Sequence, residues 1–321
     1  MNILLWHVHG SWATTFVQGD HHYVVPVLPD RGPDGVGRAR TWDWPANVVE
    51  VAPERLRDRR VDVVVLQRPH EYELVKRWLG STPGVDVPAV YLEHNAPDGD
   101  VPLTRHPMAD RPNLPIVHVT HFNALMWDCG GGSTTVVEHG ILDPGARWTG
   151  ELRRCGVVVN EPVRRGRYTG TDLLPGIADA APLDVFGMKV EGLAAHVGLP
   201  EARCRAHEDL PQDRMHTELA RRAVYFHPMR WTSLGLALLE AMHLAMPVVV
   251  VAGTEAARAV PPGAGVVSAS PAELREAVRR YANDPSAARD AGLAARESVL
   301  ARYGARRFLQ DWDAVLKEVV S

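Results

Sequence analysis

The stretch His227 to Val251, HPMRWTSLGLALLEAMHLAMPVVVV, decides the fold of the chain. A buried strand, Val224–His227, runs into Pro228, which stops it, and a glycine-containing turn leads into a helix expected over Ser233–His243. Leu236, Leu239, Met242 and His243 follow helical spacing, and Pro247 opens a second apolar strand, Pro247–Val251. Such a strand–turn–helix unit sets the backbone N–H groups of Ser233, Leu234, Gly235 and Leu236 at a helix N-terminus. Those donors lack intrahelical partners and the helix dipole adds partial positive charge, which makes a ready anion site. Glu240 is the lone acid of this apolar helix. A buried carboxylate needs strong partners, which paired ribose hydroxyls supply and a neighbouring backbone turn also supplies.

Outward from this unit the same alternation recurs. Short Val- and Ile-rich runs at Asn2–Val8, Tyr23–Leu28, Val48–Val51, Val61–Leu66, Ala89–Leu92, Ile116–Val119 and Thr134–Glu138 read as strands buried on both faces of a parallel sheet. Gly156–Val159, Leu183–Phe186 and Gly265–Val267 extend the pattern. Helices are expected at Glu71–Leu79, Thr171–Ala180, Arg214–Arg222, Ala272–Asn283 and Ser286–Tyr303. With 321 residues and about 150 per domain, this predicts two doubly wound, Rossmann-like α/β domains, 1–145 and 150–304, parted by the Gly/Pro-rich loop Ile141–Leu152. Two such domains facing each other would leave a ligand cleft at the carboxyl ends of their strands. A last segment, about 305–321, carries Phe308, Leu309, Trp312, Val315, Leu316 and Val319 as one apolar helical stripe.

Composition narrows the function classes. The apolar fraction is 45%, the charged fraction 23% and the net charge −4, an ordinary globular balance without the basic field that nucleic acid or an anionic membrane attracts. The three cysteines, Cys129, Cys155 and Cys204, are too few and too scattered for a disulfide framework or a zinc site, and fit a reducing cytoplasm. MNILLWHVHG at the start has no cationic leader, and the most apolar window is broken by Glu240, His243 and Pro247, so neither a signal peptide nor an integral membrane segment is expected. Of 35 basic residues only Lys76, Lys189 and Lys317 are lysines.

The run from Pro228 to Val249 resembles, without a gap, the nucleotide-sugar motif of GT-B glycosyltransferases of the family-4, or group 1, type, P-S-x-x-E-G-F-G-L-x-x-L-E-A-M-A-x-G-x-P-V-V. By position, the resemblance implies that Glu240 holds ribose hydroxyls and that Ser233, Leu234, Gly235 and Leu236 meet the diphosphate and sugar. Thr232 falls where the family carries its first glutamate, which usually touches donor-sugar hydroxyls. PAVYLEHN, Pro88 to Asn95, is similar to the family's strand ending in T-x-H-D and puts His94 in the place of a cleft-facing histidine, with Asn95 and Glu93 beside it. Read physically, His94 follows a buried strand and precedes a Pro/Gly loop; it could hydrogen-bond the transferred sugar or a leaving phosphate, or pack at a strand end.

Gly10, in HVHGSW, closes the first strand as the family's glycine loop does, and a glycine there lets backbone approach a ligand closely. The loop is short, so the first helix is expected to be truncated. NEPVRRGRYTGT, Asn160 to Thr171, occupies the position of the family's diphosphate-neutralising Arg and Lys; Arg164 is expected near the donor, and Arg165 and Arg167 are the residues expected to stabilise the leaving group. A solvated basic loop is the other reading of it. VVEHGI, Val136 to Ile141, resembles the strand end of the family's first domain, and Glu208 to Leu210 falls where members contact the base through backbone. His7, His9, His21 and His22 cluster in sequence, but no third ligand or carboxylate pattern completes a metal site. His9 is expected on the acceptor side with Asn95, while Trp42 and Trp44 could line an acceptor groove or belong to the core. His70–Glu71 reads as a helix cap region.

The resemblance thus implies a retaining glycosyltransferase that moves a sugar from a nucleotide diphosphate sugar to an acceptor, without cofactor or metal. It also implies a last helix that crosses back to the first domain. Two other functions fit the same donor site: a nucleotide-sugar epimerase on this scaffold, and a non-catalytic nucleotide-sugar-binding protein.

Overall fold

In the computed structural model, which describes residues 1–321, the chain divides into two compact units, Met1–Ile141 with Ala305–Ser321, and Leu142–Gly304. In the first unit, seven short apolar runs become strands: β1 (Asn2–Leu5), β2 (His22–Pro26), β3 (Val48–Val51), β4 (Val63–Leu66), β5 (Ala89–Glu93), β6 (Ile116–His118) and β7 (Thr134–Val136). They pair in parallel, in the order β3-β2-β1-β4-β5-β6-β7. Runs such as Val63–Leu66 are buried at every position, because helices cover both faces of the sheet. Helices α1 (Gly10–Phe16), α2 (Glu71–Trp78) and α3 (His121–Met126) are all short, α1 being the truncated first helix that the sequence predicts.

The last helix, Ala305–Val320, packs on this first unit. Phe308, Trp312 and Leu316 come from one face of it and share a core with Trp12, Phe16 and Tyr23. Trp312 meets Trp12 at 5.5 Å and Phe16 at 5.1 Å, both edge to face. Trp44 also lies in this core, donating its indole N–H to Thr14 Oγ1 at 2.9 Å, and Trp42 packs against it.

The second unit repeats the scheme with β8 (Leu152–Val158), α4 (Pro162–Arg165), α5 (Leu174–Ala178), β9 (Leu183–Gly187), α6 (Leu193–His196), β10 (Cys204–Glu208), α7 (Gln212–Leu219), β11 (Arg222–His227), α8 (Leu236–His243), β12 (Val248–Val251), α9 (Ala256–Ala259), β13 (Gly265–Ser268), α10 (Pro271–Asn283) and α11 (Pro285–Tyr303). Its six parallel strands run β10-β9-β8-β11-β12-β13. Strand order reverses between β1 and β4 in one sheet and between β8 and β11 in the other, the position at which open α/β sheets receive ligands beyond their carboxyl ends.

Three local expectations are corrected. β10, CRAHE, has no apolar run and is an edge strand with a mostly uncovered face, so it carries no buried-strand signature. The segment expected as one helix, Thr171–Ala180, is a 3-10 turn, Thr171–Leu173, followed by α5, because Pro175 cannot continue an earlier helix. The helix expected from Ser233 starts at Leu236. Asp184 on β9 is buried between Arg154 and Arg222, each 2.7 Å away, and fixes the middle of the second sheet. The three cysteines are free and buried, and no helix is long and apolar enough to cross a membrane. Trp312→Ala should cost about 3–5 kcal/mol through the cavity it leaves among aromatic rings, read as a lower urea midpoint with intact far-UV circular dichroism.

Candidate functional site

In the second unit, the loops after β8 and β11 hold most of the residues that the sequence singles out. β11 ends in His227, whose ring is buried and meets the Tyr225 hydroxyl at 3.2 Å through Nδ1. A Cβ on residue 235 would overlap this ring, so glycine is required where the chain crosses it. Gly235 is extended, with φ −69° and ψ 116°, and is the N-cap of α8; the helix therefore cannot begin at Ser233. Leu234 and Ser233 are buried, and the Ser233 carbonyl accepts from the Glu255 amide at 3.4 Å. The amides of Thr232, Leu234, Gly235, Leu236 and Ala237 donate to no acceptor in the chain. The turn is thus anchored through side chains and a carbonyl, with its donors unspent.

Glu240 lies one turn into α8 and is 5% exposed. Its Oε2 is 3.3 Å from His216 Nε2 on α7, and Gln212 lies 2.9 Å from the same nitrogen. A histidine on the neighbouring helix is thus one partner of this carboxylate.

The loop after β8 is laced to the turn after β11. Gly170, at φ 69°, sits so tightly against the Pro228 carbonyl that a side chain cannot fit, and the Tyr168 carbonyl accepts from the Arg230 and Trp231 amides at 3.0 and 3.3 Å. Carboxylates sort its arginines. Arg164 pairs with Glu161, which also holds Lys189 at 2.7 Å. Arg167 is 2.8 Å from Asp172, which Arg230 also engages. Arg165 is half-buried with no carboxylate in ion-pair range, and burial, then the Arg164 charge, hold its pKa below the usual arginine value. Arg165 is the loop's arginine without an ion pair, whereas Arg167 is paired with Asp172.

In the first unit, the carboxyl ends of β1, β4 and β5 gather a second group. His94, just past β5, is 8% exposed; its ring lies 3.9 Å from that of His9 and 5.4 Å from Trp12. Its Nε2 is 2.9 Å from Gln67 Oε1. Burial, with the neighbouring His9 and His139, pulls His94 well below the ordinary histidine pKa. Burial and Arg68 bring His9 to about 4, and burial with His9 and Arg307 brings His139 to about 3. Gly10 opens α1, and a Cβ there would meet Trp42 at an ordinary 3.5 Å, so crowding does not demand this glycine. Asn95 is exposed; its amide donates to Glu93 Oε1 at 2.6 Å and its carbonyl accepts from Trp127 at 2.8 Å. Glu93 is structural, since its other oxygen holds His106 at 2.9 Å. His21 pairs with Asp313 and His70 with Asp34, each at 2.8 Å; His70, the N-cap of α2, makes no side-chain cap bond, and Glu71 instead accepts from the Gln67 and Arg68 amides of the preceding loop.

Residues 186–298 match the family model for glycosyl transferases group 1. The matched segment holds the turn after β11, α8 with Glu240, and α7 with His216. Among solved structures, the chain is similar to sucrose-phosphate synthase from Thermosynechococcus elongatus at 12% identity, covering 99% of both chains with a TM-score of 0.77. It is similar to Anabaena HepE, solved in complex with UDP and glucose, at 13% identity, covering 99% of this chain and 100% of that one, TM-score 0.69. A glycosyltransferase from Rickettsia africae is similar at 13% identity, covering 100% and 98%, TM-score 0.67. No curated protein matches the sequence. The fold is therefore GT-B, and residues 186–298 of the second unit are similar to group 1 glycosyl transferases.

The sequence singles out the turn, Glu240, His94 and the arginine loop, and does not single out their structural neighbours His216, Gln67, Lys189 and His139. Only His216 had a local signal, Gln212 four residues earlier on the same helix face. The others are brought in from separate loops. No group of three or more His, Cys, Asp or Glu side chains is arranged to hold a metal ion.

The buried histidines make stability depend on pH. His227 is lowered by burial to about 3, and His118 by burial and His106 to about 4. These rings, with His9, His94 and His139, are neutral in the folded chain but have an ordinary value of 6.5 when exposed, so the unfolded chain takes up protons first as pH falls. Unfolding free energy should be steady above pH 6.5 and fall between 6.5 and about 4, each ring contributing a slope of up to about 1.4 kcal/mol per pH unit. Urea melts at pH 7.5, 6 and 5 read this directly, and a flat profile would refute it.

Proposed function

We propose that the protein is a retaining glycosyltransferase that moves a sugar from a nucleoside diphosphate sugar to an acceptor hydroxyl. The observation that carries this reading is at the switch point of the second sheet. There the amides of Thr232 and Leu234–Ala237 donate to nothing in the chain, and the adjoining loop presents one cation, Arg165, without a carboxylate. Backbone donors at a helix start plus an unneutralised guanidinium suit a diphosphate. Glu240, on the same helix, is the acceptor for a ribose diol, with His216 orienting its carboxylate.

In the reaction the bond between the anomeric carbon and the β-phosphate oxygen breaks as the acceptor oxygen bonds to that carbon on the same face. The hydroxyl proton passes to the departing phosphate oxygen. Negative charge grows on the β-phosphate, and Arg165 with the turn amides stabilises it more in the transition state than before. That leaves no step needing a paired carboxylate nucleophile. Thr232 takes the position of the family's first glutamate and offers the donor sugar an uncharged hydroxyl. The similarity to HepE, solved with UDP and glucose, supports a nucleotide-sugar donor.

A thermal-shift panel of UDP-, GDP- and ADP-sugars should raise the melting temperature with one base, since a ligand that binds only the folded chain stabilises it by mass action. Against that donor, Arg165→Met should weaken binding about tenfold or more, as for loss of a charged hydrogen bond, whereas Arg167→Met should change it little. Glu240→Ala should weaken binding of the nucleoside diphosphate alone. Unchanged affinity in Glu240→Ala would sink the site assignment.

A further inference from the structure

Two ring nitrogens of the first unit border an open place beside Gly10. His7 follows β1, and its ring lies 4.7 Å from that of Trp44. Its Nδ1 is 3.2 Å from the Gly37 carbonyl oxygen. Gly37 is held in turn, since its amide donates to the Pro26 carbonyl at 3.0 Å. A carbonyl oxygen only accepts, so Nδ1 carries the proton of His7. Burial lowers the pKa of this ring, which is therefore neutral at pH 7.5 and keeps a bare lone pair on Nε2. The indole Nε1 of Trp42 is a donor only. No group of the chain bonds to either nitrogen, and neither is sealed from solvent. A side chain on residue 10 would bring its Cβ 3.5 Å from Trp42 Nε1 and 3.9 Å from His7 Nε2. Apart from its chain neighbours and the backbone of its own helix, no other atom comes within 4 Å of that point. Gly10 thus leaves a slot open, with one donor and one acceptor at its wall.

We propose that this slot binds one hydroxyl group of a sugar or polyol, the oxygen accepting from Trp42 Nε1–H and the hydroxyl proton going to His7 Nε2. The pair of nitrogens selects the ligand. A phosphate or carboxylate oxygen can accept from the indole, but it meets the imidazole lone pair with lone pairs of its own. An ammonium group can satisfy the imidazole, but it turns its N–H bonds toward the indole N–H. A hydroxyl brings both a proton and a lone pair, so it alone among these suits both walls. All parts of the slot belong to the first unit: the end of β1, the start of α1, and the loop between β2 and β3 that carries Gly37, Trp42 and Trp44. The site therefore goes beyond the sugar transfer proposed above and does not depend on it.

The nuclei of the slot test it directly. In protein 15N-labelled at histidine and tryptophan, at pH 7.5, the His7 signals should show a protonated, pyrrole-type Nδ1 and an unprotonated, pyridine-type Nε2. The reverse pattern would overturn the proposal before any ligand is added. Loss of signals in His7→Gln and Trp42→Phe assigns them. Glycerol, myo-inositol and methyl α-D-glucopyranoside are then titrated in separately. At least one should move His7 Nε2 and the Trp42 indole signal together along one saturation curve, while inorganic phosphate moves neither. Gly10→Ala fills the slot at ordinary contact distances, so it should keep the circular dichroism of the wild type and abolish the joint response. Trp42→Phe removes the donor alone and should weaken the polyol about threefold to tenfold, the range for one neutral hydrogen bond, read at His7 Nε2. No joint response to any of the three polyols, saturation by phosphate, or a response that survives Gly10→Ala would each overturn the proposal. Should Gly10→Ala fail to fold, Trp42→Phe decides alone, and unchanged affinity there overturns it.

Discussion

One steric contact organises the second unit: Gly235 lying against the buried ring of His227. A strand that ends in a bulky ring and a helix that must start over it leave no space for a Cβ between them. The glycine is forced, and because it is extended the helix cannot take up the preceding residues. Thr232 to Leu234 are left as an irregular turn in which Ser233 and Leu234 are buried and the Thr232 and Leu234 amides join no ladder. A turn of this kind requires few specific side chains. The same logic holds the neighbouring loop, where Gly170 closes on the Pro228 carbonyl.

Electrostatics then choose among the arginines. In a chain whose cations are nearly all guanidinium, proximity to a loop says little about role, since most find a carboxylate. Glu161 occupies Arg164 and Lys189, and Asp172 occupies Arg167 and Arg230. An exposed pair of this kind contributes little stability, but it removes a cation from service. Arg165 is left half-buried and unneutralised, a state unfavourable to the resting protein and relieved by an arriving anion. The contrast is Asp184. Burial pushes its carboxyl up, yet His207, Arg222 and Arg154 outweigh this and set it at about 2, so there the cations serve the fold.

The legible part of this molecule was whatever is local in sequence. Val63–Leu66 and Val248–Val251 read as strands because parallel strands covered on both faces must be apolar throughout, and Phe308, Trp312 and Leu316 read as one helix face by their spacing. The edge strand Cys204–Glu208 escaped because an edge relaxes that demand. At the site, Gly235 and Glu240 stood out within one motif. The choice between Arg165 and Arg167 did not, because it depends on where Asp172 folds back. Gln67 was unreadable for the same reason: it matters only because β1 and β4 are neighbours, 61 residues apart in sequence at the Trp6 contact.

The two sheets use the same topological position for opposite chemistry. Beyond β8 and β11 stand unspent N–H donors and a free cation, which favour an anion. Beyond β1, β4 and β5 stand imidazoles that burial keeps uncharged, and the nearby guanidinium of Arg68 is already held by Glu71 at 2.7 Å and Asp34 at 3.2 Å. Protonating those rings inside the sheet edge would place like charges a few ångströms apart in a poorly solvated space, so they remain neutral across the physiological range. A phosphate gains nothing from such a surface, whereas a hydroxyl, which brings both a proton and a lone pair, can be read by it. The same place in the two sheets thus differs in chemistry alone: the second unit offers backbone donors and a cation there, and the first offers uncharged imidazoles.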